Sequence, residues 1–119
     1  MAIEIKQGAT TKLRMSITDA NGATVDPSTY HHIEIYLIDS FTFETVAKYT
    51  TDYDSTTTEY KEAEIVGNNV DFYIDSSDTI GVEGNVDIQP NLYTTDANYE
   101  DGYKVEKGSA VCLKVNKAK

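Results

Sequence analysis

Several groups of residues in this chain have the types and spacing for chemistry. Asp96-Ala97-Asn98-Tyr99-Glu100-Asp101-Gly102 sets oxygen donors at near-alternate positions, as calcium loops do. Such loops need glycine at position six and a bidentate glutamate at position twelve, and those positions hold Asp101 and Lys107. The segment therefore reads as a solvated acidic loop joining two strands. His31 and His32 are metal-ligand types, but neighbours on a predicted strand point to opposite faces, so the two rings share an ion only if the strand is broken there. Asp52 with Asp54, and Asp71, Asp75 and Asp78, offer paired carboxylates of the kind glycosidases use. With 20 acidic residues in the chain and no apolar pocket evident to raise one carboxyl's pKa, they read as solvated surface. Cys112 is the only cysteine and reads as a small strand residue, since neither an internal disulfide nor a cysteine-based metal site can form from it. No Gly-x-Ser-x-Gly elbow, phosphate-binding glycine loop or His-Glu-x-x-His pair occurs. The expectation is a protein that is not an enzyme, with no catalytic residue, no cofactor and no metal.

The tyrosines are the more informative imbalance: nine of them, with no tryptophan. Tyr30, Tyr53, Tyr60, Tyr93, Tyr99 and Tyr103 fall in or beside predicted loops. A tyrosine there either caps the core or anchors an interface with protein or sugar, because its ring is apolar and its tip is wet. Tyr53, Tyr60, Tyr93, Tyr99 and Tyr103 are the candidate interface residues, together with Lys117 and Lys119 of the basic carboxyl-terminal run.

These residues must be positioned by strands. Ile3 and Ile5 alternate with Glu4 and Lys6, and Leu13, Met15 and Ile17 alternate with polar neighbours before the turn residues Asp19-Ala20-Asn21-Gly22. Ile33, Ile35 and Leu37, with Ile38 on the other face, predict a central strand, and Val46, Ala47 and Tyr49 a weaker one. The polar run from Thr50 to Glu59 reads as an exposed loop or edge. Ala63 and Ile65, then Gly67-Asn68-Asn69, then Val70, Phe72 and Ile74 predict a hairpin. Asp75 to Thr79 has capping residues enough for one helical turn at most. Val86 and Ile88 begin a strand that Pro90 should end or place at an edge, and Val111, Leu113 and Val115 form the last strand.

No apolar stripe of helical period runs for three turns, and a parallel sheet built of βαβ units needs such helices, so an antiparallel sheet is expected. About seven or eight short strands separated by turn signals fit an all-β sandwich of immunoglobulin-like size, residues 1–119 forming a single domain. A small barrel is the alternative. There is no Cys-Trp-Cys framework of an antibody domain. The net charge of −10, with no basic stripe, argues against nucleic acid as a partner. No run approaches the ~20 apolar residues of a membrane helix, and no basic flank with an apolar signal core opens the chain.

The order of these elements resembles a family. Gly8-Ala9-Thr10-Thr11, then Leu13 to Asp26 with its polar-glycine turn, then the strand Ile33 to Asp39, is similar to the start of immunoglobulin-like domains in tailed-phage virion proteins, upper baseplate modules among them. Val70-Asp71-Phe72-Tyr73-Ile74, Asp78-Thr79 and Gly84-Asn85-Val86-Asp87-Ile88 resemble that family's closing half, with Asn85 standing where an aromatic would be usual. The resemblance implies a virion structural protein, made in the host cytoplasm and found in an oligomeric assembly. It would be a capsid-surface auxiliary (decoration) protein, or a tail or baseplate module, and its partners would be the major capsid protein or tail and baseplate proteins. No catalytic residue carries over. A carbohydrate-binding or adhesin-like module using the loop tyrosines is the alternative.

Overall fold

The computed structural model describes residues 3–54, 56, 59–79, 82 and 84–116. Its elements, in chain order, are strands β1 (Ile3–Lys6) and β2 (Thr11–Ser16), a 3-10 turn (Pro27–Thr29), β3 (His32–Asp39), β4 (Thr45–Thr50), β5 (Lys61–Val66), β6 (Asn69–Ile74), a single helical turn α1 (Ser76–Thr79), β7 (Gly84–Thr95), β8 (Tyr103–Lys107) and β9 (Val111–Asn116). The fold is all-β. Among the described residues nine strands form one mixed sheet that nearly closes on itself, in the order β1-β9-β7-β3-β4-β5-β6-β2, with β8 added to β7.

The strands form where the sequence alternates. In β3, Ile33, Ile35 and Leu37 are fully buried while Glu34 and Tyr36 take the opposite face. In β6, Val70, Phe72 and Ile74 point inward, as the hairpin with β5 requires. The two parts of the sheet meet through Tyr49 of β4 and Phe72 of β6, whose rings lie 4.8 Å apart. Burying each side chain of this size is worth roughly 1.5–3 kcal/mol. Asp19 closes the predicted turn after β2: its Oδ1 accepts from the N–H groups of Asn21 and Ala23, and Gly22 takes φ 84°.

Three expectations are corrected. The sheet is mixed, because β1 pairs with β9 and β4 with β5 in parallel. Parallel neighbours do not need a βαβ helix when they lie far apart in the chain, as β1 and β9 do, or when their parallel contact is short, as that of β4 and β5 is, confined to Tyr49 with Lys61 and Thr50 with Glu62. Among the described residues the strands number nine rather than seven or eight, the addition being β8, whose largely exposed sequence, with Val105 the one aliphatic side chain, shows no buried face. Pro90 neither ends β7 nor sits at its edge. On one side β7 pairs with β3 from Val86 to Tyr93, while on the other it pairs with β9 as far as Ile88 and with β8 from Asn91. Pro90 stands in the gap between those two partners, where its missing N–H breaks no ladder bond, and its carbonyl accepts from Gly108 N at 2.9 Å. Lys117 and Lys119, expected at an interface, lie outside the described residues.

Candidate functional site

Alternation along β3 puts His32, Glu34 and Tyr36 on one face, away from the apolar core. The antiparallel register places Tyr93 of β7 directly opposite His32, and the two rings stack at 4.3 Å and 15°. Glu34 is the hub of the cluster. Its Oε1 accepts from the hydroxyls of Tyr36 at 2.7 Å and Tyr93 at 3.0 Å, with the Tyr60 hydroxyl 3.4 Å away, and its Oε2 lies 3.4 Å from His32 Nε2. Burial, and then the contacts with Tyr60 and Glu34, raise the pKa of Tyr36. Burial and Glu34 do the same for Tyr93, so both hydroxyls stay protonated donors at neutral pH.

His31 does not continue the strand. It lies in the bend before β3, so strand alternation does not reach back to it, and its Nδ1 comes to 2.8 Å from Nδ1 of His32. The expectation that the two rings face apart is thereby corrected. Tyr103 of β8 packs on both imidazoles, with ring centroids 4.9 and 5.6 Å away. Asp52 joins from the segment after β4, which is tied to β3 by Thr51 N to Ile33 O and by Ile33 N to Thr51 Oγ1. Asp52 Oδ2 stands 3.8 Å from His32 Nδ1.

Beside this cluster, Tyr49, Tyr53, Tyr60, Tyr73, Lys61 and Asp75 line an open depression of about 430 Å³. Lys61 is fixed there, with its ammonium donating to Asp75 at 3.0 Å and to both oxygens of Asp78 at 2.8 Å. Burial works against its charge, and the two carboxylates outweigh burial and raise its pKa.

Of the tyrosines read as interface residues, the structure thus brings Tyr53 and Tyr60 to the depression and Tyr93 and Tyr103 to the histidines. Tyr99 stands apart, half exposed at the β7–β8 tip. The acidic pairs are engaged locally: Asp71 with Arg14 and Lys12, Asp75 and Asp78 with Lys61, and Asp54 with Thr56. The Asp96–Gly102 segment is the tip of the β7–β8 hairpin, as the solvated-loop reading expects.

Sequence reasoning missed Phe41 and Phe43. They sit at the tip of the β3–β4 hairpin, 87% and 81% exposed, in a loop closed by Phe43 N to Asp39 O and Asp39 N to Glu44 O. Phe43 has φ 62°, the one non-glycine residue with positive φ among those described. The signal was present as two aromatics in a polar turn, Asp39-Ser40-Phe41-Thr42-Phe43-Glu44.

No family model, curated protein or solved structure matches this chain. Its function is therefore argued from its own side chains.

Proposed function

We propose that the chain is a non-enzymatic structural module of a tailed-phage virion that docks on another virion protein through the tip of the β3–β4 hairpin. The mixed sheet is read as an immunoglobulin-like β-sandwich, and the position as that of a capsid-surface auxiliary protein, with a tail or baseplate place as the other option. The observation that carries the reading is the pair Phe41 and Phe43. A loop position with positive φ suits glycine or asparagine, and holding phenylalanine there costs on the order of 1 kcal/mol. A ring 81% exposed returns none of that cost through packing in the isolated chain. Strain of this kind, on an exposed aromatic pair, points outward to a partner. Asp39 and Glu44 flank the tip and the whole chain carries −10, so the matching surface is an apolar pocket with a basic rim.

The test is cosedimentation of purified protein with particles from its own source, followed by cross-linking mass spectrometry. Cross-links from the β3–β4 tip to a capsid or tail protein support the reading, and failure to sediment with any particle removes it.

One observation favours a second reading, a carbohydrate-binding module. Tyr53, Tyr60 and Tyr73 line the same open depression as Lys61, Glu62 and Asp75, which supplies flat apolar rings beside polar groups. Glycan-array binding abolished by Tyr73→Ala and untouched by Phe41→Ser would move the assignment there.

A further inference from the structure

We propose that His31, His32 and Asp52 bind a divalent transition metal, with zinc the best fit, and that the ion clamps the entry of β3 to the exit of β4. The inference is independent of the docking surface at the β3–β4 tip. It rests first on convergence. The ligand atoms of the three side chains all lie within 4.8 Å of one another, with the two Nδ1 atoms 2.8 Å apart and Asp52 Oδ2 3.8 Å from His32 Nδ1. Ligands at ~2.0–2.1 Å around a tetrahedral zinc stand roughly 3.3 Å from each other. The two Nδ1 atoms must part by about half an ångström, Asp52 must approach His32 by a similar amount, and His31 and Asp52 must close from a separation of at most 4.8 Å, all within reach of rotations of the two exposed side chains.

The outer contacts are those a metal-bound imidazole requires. A ligating histidine gives its second ring N–H to a carboxylate, which fixes the tautomer and the ring plane. His32 has that arrangement: Nε2 faces Glu34 Oε2 at 3.4 Å, Glu34 is held by the Tyr36 and Tyr93 hydroxyls, and Tyr93 stacks on the ring. With the proton on Nε2, the Nδ1 lone pair of His32 points toward His31. Asp52 is oriented as well, because Thr50 Oγ1 engages Oδ1 at 2.5 Å and leaves Oδ2 toward the histidines.

Two imidazoles and one carboxylate, with no sulfur, suit zinc and its neighbours in the first transition row rather than calcium or magnesium. His31 and Asp52 are both exposed, so solvent reaches the fourth coordination position. The chain has only two histidines, so an imidazole–metal signal can come from nowhere else.

The experiment uses the full chain, free of tags and stripped of metal, carrying Cys112→Ser so that the one thiol cannot compete. Zinc chloride is titrated by calorimetry, cobalt chloride by visible absorption, and the thermal midpoint is followed with and without zinc. The expected result is one zinc ion per chain, a raised midpoint, and cobalt bands of a tetrahedral nitrogen and oxygen site. His31→Ala and Asp52→Ala should each weaken zinc at least about tenfold and shrink the rise in midpoint that zinc gives over the same variant without metal. Glu34→Gln should weaken it by roughly ten- to a hundredfold without removing a ligand. No saturable zinc binding, or binding that His31→Ala and Asp52→Ala leave intact, overturns the proposal and leaves the pair joined by an ordinary N–H···N hydrogen bond.

Discussion

Replacing Phe41 and Phe43 together by serine separates docking from folding. The rings are 87% and 81% exposed in the isolated chain, so folding buries little of either, and the double variant should keep its stability within about 0.5 kcal/mol. Docking should bury both. Full burial of one phenylalanine is worth roughly 1.5–3 kcal/mol, so the pair supplies about 3–6 kcal/mol, or roughly a hundred- to ten-thousandfold in affinity. Phe43→Gly refines the test. It relieves the positive φ of 62° and should stabilise the free protein by about 1 kcal/mol while still weakening binding. Urea midpoints supply the stabilities, and cosedimentation with particles at graded protein concentration supplies the affinities. The reasoning is refuted if the double variant binds within about threefold of the parent, since two buried rings cannot cost so little. It also fails if the variant unfolds, because the rings then serve the fold.

Three further outcomes follow from the packing. Gly108→Ala should destabilise by roughly 1–3 kcal/mol in urea melts, because its Cβ would stand 2.4 Å from Thr18 O and 3.0 Å from Pro90 Cγ. Tyr49→Phe should cost about 1–2 kcal/mol, since the buried hydroxyl donates to Tyr73 O at 2.7 Å; an unchanged midpoint would show that this bond contributes nothing. Asp71 is held below the usual carboxylate range, first by its hydrogen bonds with Arg14 and then by the charges of Arg14 and Lys12, against the opposing effect of burial. A lowered folded-state pKa gives stability that is present in full above the unfolded value of about 3.9 and is lost as pH falls through the folded one. Asp71→Asn should therefore be less stable than the parent at pH 7, with the gap shrinking as pH falls below about 3.9, and a gap that does not narrow in acid counts against the ion pair.

The parts of this fold that could be read from the sequence are those where one strand face meets the core. Ile33, Ile35 and Leu37 declare β3 because burial on one face forces period two, and Val70, Phe72 and Ile74 do the same for β6. The strand β8 could not be read that way, for it lies on β7 with both faces largely wet. Pro90 misled for a related reason. The rule against proline in a sheet concerns the N–H it lacks, and whether that N–H was needed depends on where β9 stops and β8 starts along β7, which is a property of the pairing and not of the strand.

The same distinction explains the polar cluster. That His32, Glu34 and Tyr36 share a face follows from their spacing alone, and three polar residues on one face of a strand would ordinarily be solvated surface. What converts them into a site is register and the segments that cover them: Tyr93 falls opposite His32, the chain after β4 brings Asp52 alongside, and Tyr60 arrives beside Tyr36. None of these partners is near β3 in sequence. His31 reaches the site for the opposite reason, because the strand has not yet begun at that residue and alternation does not bind it. A position one residue outside a strand is free to turn its side chain to either face, so pairs of functional residues at strand entries escape a reading based on period two. The aromatic pair Phe41 and Phe43 escaped for want of any period at all: in a tight turn, exposure is set by loop geometry, and only the structure shows two rings pointing into water.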